Sequence, residues 1–268
     1  MRYALVKERR REAEPGLSGE CPVCGSTLVP KCGERRVWHW AHRGVRHCDH
    51  WWESETEWHR AWKNKFPAEW REIVHQAKDG EKHIADVKTM HGRVIEFQHS
   101  YLKAEERRAR EAFYGSMVWV VDALRRKRDM QSFFETLHVG QLAGLRPLTF
   151  SVPSTWCALL RDWADSRVGV FFDFGAQDVI RFGLPVLWCL SPKRAEDRAL
   201  LTPIPVANFI EAFCNGAPLK GIYAKVVESA VKFPAPAAYW PQHRRRRRLP
   251  SFQQYMARKH RARSRGRM

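Results

Sequence analysis

Residues 83 to 100 read HIADVKTMHGRVIEFQHS, two extended runs either side of a glycine turn. His83 to Thr89 and Arg93 to His99 are rich in β-branched and aromatic residues, and Met90-His91-Gly92 between them supplies the turn. Side chains alternate along a strand, so Glu96 and Gln98 share one face while Ile95 and Phe97 pack on the other. If the hairpin pairs as written, Asp86 and Glu96 converge on the polar face. Two carboxylates on adjacent strands make a hard-oxygen site suited to magnesium or manganese. Such an ion can activate water and stabilise the phosphate of an in-line attack. An ordinary solvent-facing hairpin would carry the same acids, so its neighbours decide between the two.

Upstream, a helical run from Trp51 to about Phe66 places Glu55, His59 and Lys63 at i, i+4 and i+8, on one helical face. Downstream, Lys103 to Tyr114 is a charged helix with Arg110 and Tyr114 again four apart. Met117 to Val121, MVWVV, is short and apolar enough for a buried strand. The expected core is a mixed sheet with the Ile84–Thr89 and Val94–His99 strands in its middle, flanked by the helices of Glu55 and Arg110. Beyond Leu137 the pattern is weaker: a helix over Trp156–Ala164, strands over Val168–Phe172 and Val186–Leu190, and a helix over Val206–Phe213. Pro234, Pro236 and Pro241 then break the chain.

The segment from Gly16 to His50 is rich in Gly, Cys and His and poor in aliphatic residues. It lacks a core of its own, so something else must hold it. Cys21-Pro22-Val23-Cys24-Gly25 is a CxxC knuckle in which the glycine permits a tight turn. His39-Trp40-Ala41-His42 follows fifteen residues on, and Cys21, Cys24, His39 and His42 together make a tetrahedral zinc set. Cys32 and Cys48 are spare candidates, and Cys48 could displace His39. A zinc hydrolase at this site is excluded if four protein ligands bind, because no position stays open for water.

The chain has 47 Lys and Arg against 29 Asp and Glu, a formal charge of +18. From His243 onward there are 11 basic residues and no acid, which leaves 36 against 29 in the first 242. A basic body with a more basic tail attracts polyanions, nucleic acid foremost. No apolar stretch approaches the roughly 20 residues that span a bilayer, and no secretory leader stands at the N-terminus. Seven cysteines, four of them within the first 50 residues, suit metal binding in a reducing compartment better than a disulfide framework. Cytoplasmic location and no membrane partner are therefore expected.

In order and spacing, Cys21 to Asp122 resembles the competence protein CoiA family, nuclease-like proteins of the PD-(D/E)XK superfamily. The matching pieces are the CPxCG knuckle, HWAH where the family usually has Phe for Trp40, and Glu55, His59 and Lys63. They continue through Ala85-Asp86, Glu96-Phe97-Gln98 with Ser100, Arg110 with Tyr114, and Trp119 to Asp122. The resemblance implies an α/β, PD-(D/E)XK restriction-endonuclease-like core behind an N-terminal zinc-ribbon-like module. Together with the sequence pattern and the charge of the tail, it gives an expected division into a zinc module (1–50), a nuclease core (51–137), an α/β extension (138–232) and a basic, disordered tail (233–268). It implies Asp86 and Glu96 as ligands of Mg2+ or Mn2+, structural Zn2+ and DNA hydrolysis, with Gln98 standing where the superfamily has Lys. Gln can orient water but brings no positive charge, and Lys63 or Lys88 could supply it from another backbone position. That departure leaves a second possibility, a zinc-containing DNA-binding or adaptor protein that cuts poorly. DNA is the expected partner, with RNA or protein partners of a DNA-processing system as further candidates.

Overall fold

The computed structural model describes residues 1–44, 48–51, 55–145, 148–191 and 197–216, without the side chains of 145 and 179–181. Contacts divide the chain into Met1–Phe233 and Pro234–Met268. The basic tail and the Pro234, Pro236 and Pro241 stretch before it lie outside the described residues.

The N-terminal module is a small antiparallel sheet of β1 (Tyr3–Val6), β2 (Arg9–Glu12), β3 (Gly19–Glu20), β4 (Thr27–Lys31) and β5 (His39–His42), in the order β2-β1-β3-β4-β5. Its core is more than the sequence promised. Trp40 is fully buried with Ala4, Ala13, Cys21 and Leu28, and its indole donates to the Arg11 carbonyl at 3.0 Å. The missing apolar partners come from the first thirteen residues, which wrap onto the cysteine segment. Gly19 is required there, since a Cβ would stand 2.8 Å from the Ala4 Cβ.

The rest is α/β. α1 (Glu57–Lys63) precedes β6 (Arg71–Gln76), β7 (Lys82–Lys88) and β8 (Val94–Gln98); α2 (Ala104–Tyr114) leads to β9 (Met117–Asp122). Then follow α3 (Asp129–His138), β10 (Gln141–Leu145), β11 (Leu148–Pro153), α4 (Ala158–Trp163) and β12 (Gly169–Asp173). α5 (Gln177–Phe182), β13 (Val186–Leu190), β14 (Arg198–Pro205) and α6 (Val206–Cys214) complete the described chain. Among the described residues β6 to β14 form one mixed sheet of nine strands, ordered β10-β11-β14-β13-β12-β9-β8-β7-β6. β8 and β12 run parallel to β9. The C-terminal half thus extends the same sheet instead of building a second body.

Three expectations change. The β7–β8 hairpin lies beside one edge of the sheet, not in its middle, because β10 to β14 all add on the far side of β9. The first helix starts at Glu57, not near Trp51, because Thr56 is its N-cap: its Oγ1 accepts the His59 amide at 3.4 Å in a capping box. Glu55 therefore precedes the helix. Its partnership with Lys63 arises from the chain turning into the cap and not from a shared helical face.

α1 is fixed by Trp58 and Trp62, whose indoles both donate to the buried Asp173 carboxylate of β12, at 2.9 and 2.7 Å. Trp62 and Phe66 then join Val87, Ile95, Phe97, Val118 and Val120 in the main core.

Candidate metal centres

The hairpin is forked. β7 and β8 pair at Lys88↔Val94 and Val87↔Ile95 next to the turn, where Gly92 sits at φ +76°. One step further the side chains take over the ladder. The Asp86 amide donates to Glu96 Oε1 at 3.1 Å, and the Phe97 amide donates to Asp86 Oδ2 at 3.0 Å. Carrying the two registers inward sets Asp86 opposite Glu96 on one side and opposite Glu72 of β6 on the other. Three acids thus stand in one row across three neighbouring strands.

That row opens on a cleft of about 70 Å³ that is also lined by Asp49, Glu55, His59, Lys63, Arg110 and Tyr114. The volume suits an ion with its water and is far too small for an organic cofactor. Lys63, only 3% exposed, sets Nζ 2.7 Å from Glu72, 2.8 Å from Glu55 and 3.5 Å from Asp86. Burial alone would lower its pKa, but Glu72, Asp86 and Glu55 outweigh that and hold it charged, above the ordinary lysine range. In return Lys63 overcomes burial at Glu72 and holds that carboxyl down to about 2. Glu96 goes the other way. Burial and then the Asp86 charge push it up to about 8, and Arg110 at 3.5 Å offsets this only in part.

Five carboxylates, Asp49, Glu55, Glu72, Asp86 and Glu96, face two cationic side chains, Lys63 and Arg110, and the Met1 ammonium, which also acts on Glu72. A buried excess of negative charge is costly, and a cation or a proton relieves it. The donor set, carboxylate oxygens of Asp86 and Glu96, suits a hard divalent ion, whose charge would favour the ionised form of Glu96.

Asp86, Glu96, Glu55, His59 and Lys63, all singled out in the sequence, meet in this cleft. Gln98 does not line it. Gln98 is buried beside the cleft, and its amide donates to the Ser100 carbonyl and hydroxyl, both at 3.3 Å. Of the two lysines that could replace the superfamily's cation, Lys63 is in the cleft and Lys88 is not. Glu72 and Asp49 were missed. Glu72 sits in β6 at φ +47°, and its carboxylate turns inward to accept the Arg2 amide at 2.7 Å. Asp49 follows a cysteine and accepts from His83 Nδ1 at 3.0 Å.

The N-terminal module brings four ligand atoms within 4.8 Å of one another: Cys21, Cys24, His42 and Cys48. Cys21 and Cys48 sulfurs are 3.7 Å apart, and His42 Nε2 stands 3.5 Å from Cys24 and 3.4 Å from Cys48. Tetrahedral zinc places sulfurs about 3.8 Å apart and sulfur about 3.5 Å from nitrogen, given Zn–S near 2.3 Å and Zn–N near 2.0–2.1 Å. This Cys3His cluster could therefore hold zinc. The knuckle shows the expected turn: Gly25 at φ +72° donates its amide to Cys21 O, and the Val23 amide approaches Cys21 Sγ at 3.4 Å. Burial and the neighbouring Cys21 and Cys24 push the Cys48 thiol up to about 12, a crowding that a cation would relieve.

His39 is not a member of the cluster. A spacing of three brings two histidines together on a helix, but His39 and His42 lie on strand β5, where it sends them to opposite faces. His39 Nδ1 lies 2.9 Å from the Val37 carbonyl, and Cys48 takes the fourth place. Zinc content should separate the two: Cys48→Ser is expected to lose most of its zinc and to melt earlier, while His39→Ala keeps about one equivalent. Equal zinc in both variants would overturn the assignment.

Fold and site together define a class: a module with a Cys3His cluster that could hold zinc, placed before an α/β domain with a carboxylate cleft. Residues 18–50 match the family model for the N-terminal domain of competence protein CoiA, so that segment is CoiA-like, and the match spans all four cluster residues. No curated protein and no solved structure matches the chain. Among the described residues no helix is long and apolar enough to cross a membrane.

Proposed function

We propose that this protein is a magnesium- or manganese-dependent deoxyribonuclease of the PD-(D/E)XK kind, with zinc as a structural ion in its N-terminal module. The CoiA-like domain suggests a competence-related role in DNA processing. The observation that carries the enzymatic reading is the row of Glu72, Asp86 and Glu96 across three strands, opening on an ion-sized cleft. A mixed sheet flanked by helices is compatible with that superfamily.

In this reading Asp86 and Glu96 hold the divalent ion, which supplies Lewis acidity toward a phosphate oxygen and water. Arg110 keeps Glu96 turned into the cleft, and Asp173 fixes α1 so that Lys63 reaches Asp86. His59 stands in the cleft wall with Nδ1 2.9 Å from Thr56 Oγ1. The surrounding basic body and the arginine-rich tail hold the DNA backbone, so binding weakens steeply with salt.

One observation favours a second reading, a DNA-binding adaptor that cuts poorly. Lys63, the one lysine lining the cleft among the described residues, is already engaged by carboxylates, and Gln98 faces Ser100. Relaxation of supercoiled plasmid separates the two. Nicking that needs added magnesium or manganese and disappears in Asp86→Ala supports the enzyme. Shifted plasmid mobility with no nicking under either metal supports the adaptor. Gln98→Ala is expected to leave DNA and metal binding intact. A fall in single-turnover rate in that variant would show that its amide reaches the water or phosphate during reaction.

A further inference from the structure

The β4–β5 hairpin of the N-terminal module ends in a tip, residues 32–38, that reaches the catalytic-type cleft. Arg60 of α1 makes the connection. Its Nη2 donates to the Trp38 carbonyl at 2.6 Å and to Glu55 Oε2 at 2.7 Å. A groove of about 580 Å³ runs between the tip and the start of α1, lined by Arg35, Arg36, Trp38, Glu55 and Glu57 among others. Glu55 lines this groove and the carboxylate cleft alike, so the two adjoin at that residue.

The chemistry of the tip is aromatic and cationic. Trp38 is 46% exposed, while its neighbour Trp40 is fully buried. An indole left in water beside a functional cleft gains by being covered. Arg35 and Arg36 line the same groove as Trp38 and are exposed, Lys31 is exposed at the foot of the tip outside that groove, and among the described residues none of the three has an ion-pair partner. Glu34, Glu55 and Glu57 also line the groove, so the cationic excess stands on the tip itself, where Glu34 is the one acid among residues 31–38. Positive charge next to a flat aromatic face is the combination that holds an unpaired strand, with phosphates on the cations and a base stacked on the ring. A duplex offers the phosphates but keeps its base faces hidden in the stack.

We propose that residues 31–38 form a docking surface for single-stranded DNA, with Trp38 stacking on one base and Arg35 and Arg36 contacting its phosphates. Resting on the nuclease reading, this makes the substrate a strand with unstacked bases: a single strand, a frayed end or a flap. The ring orders the strand at the groove, and Glu55 marks where it enters the cleft.

The test is binding of an end-labelled single-stranded oligodeoxynucleotide and of its duplex, followed by fluorescence anisotropy with the full chain and no added magnesium. Because Trp38 is exposed, its variants should fold, and zinc content and circular dichroism verify that. Trp38→Ala is expected to weaken single-strand binding about tenfold, within the range of base–aromatic stacking, and to leave duplex binding within about twofold. Trp38→Phe should keep most of the affinity. Arg35→Ala with Arg36→Ala should flatten the single-strand salt slope by about 1.4, two contacts at roughly 0.7 each. No change in Trp38→Ala, or an equal loss for single strand and duplex, overturns the proposal. Cleavage plays no part in this measurement. A selective loss in Trp38→Ala from a parent that never nicks DNA therefore upholds the docking surface and ends only the nuclease reading.

Discussion

Replacing Glu96 with Gln is expected to abolish metal-dependent cleavage, by more than about a hundredfold, since even partners outside the ligand shell cost roughly 10–100-fold. The same change should stabilise the metal-free protein at alkaline pH. Burial and the Asp86 charge hold the Glu96 carboxyl up to about 8 against an ordinary 4.5. The folded state therefore resists its ionisation. Its stability is fullest below the unfolded pKa and falls as pH rises from about 4.5 toward about 8. Gln carries no such penalty. Added magnesium reverses the penalty in the parent, because a cation favours the ionised form. Thermal unfolding at pH 6 and pH 9, with and without magnesium, reads all of this. The parent should lose stability between the two pH values and regain it with metal, and Glu96→Gln should do neither. Continued cleavage by Glu96→Gln, or equal stabilisation of both proteins by magnesium, would remove Glu96 from the metal site.

The legible part of this site followed from period-two alternation. Asp86 and Glu96 could be placed face to face because a strand hairpin with a Gly92 turn leaves little choice of register. Glu55, His59 and Lys63 were found with them, though on a mistaken helix: Thr56 looks unremarkable in sequence, and only its hydrogen bonds show that the helix starts there. Glu72 gave no signal. It lies in REIVHQ, a strand whose pattern is neither alternating nor apolar, and it reaches the cleft through a positive φ that no non-glycine residue advertises. Asp49 was hidden beside Cys48, which itself was only a spare candidate. Choosing between Cys48 and His39 required knowing that HWAH is a strand. The far half of the sheet was the least readable. β13 was placed at Val186–Leu190 as found, but β11 and β14 were not recognised. RALLTPIP carries two prolines, which argue against a sheet interior, yet this strand pairs on both sides.

Lys63→Met is expected to cost the fold about 3–5 kcal/mol, the range for removing one partner of a buried ion pair, and to lower the melting temperature by roughly 10 °C for a unit of this size. The ammonium neutralises Glu55 and Glu72 directly and Asp86 at longer range, so methionine would leave three carboxylates without their common counter-charge. Glu72→Gln in the same chain should recover part of the loss, because one of the orphaned charges is then gone. Acid unfolding gives an independent reading. Lys63 holds the Glu72 carboxyl down to about 2 from 4.5, so the stability this pair contributes is present above pH 4.5 and drains away as pH falls toward 2. The parent should therefore unfold steeply across that window. Lys63→Met should start from a lower stability and change less there, its acids now protonating at or above their ordinary values. A Lys63→Met protein as stable as the parent yet unable to cut DNA would reverse the conclusion. The lysine would then act on the phosphate or the attacking water, supplying from α1 the cation that Gln98 lacks.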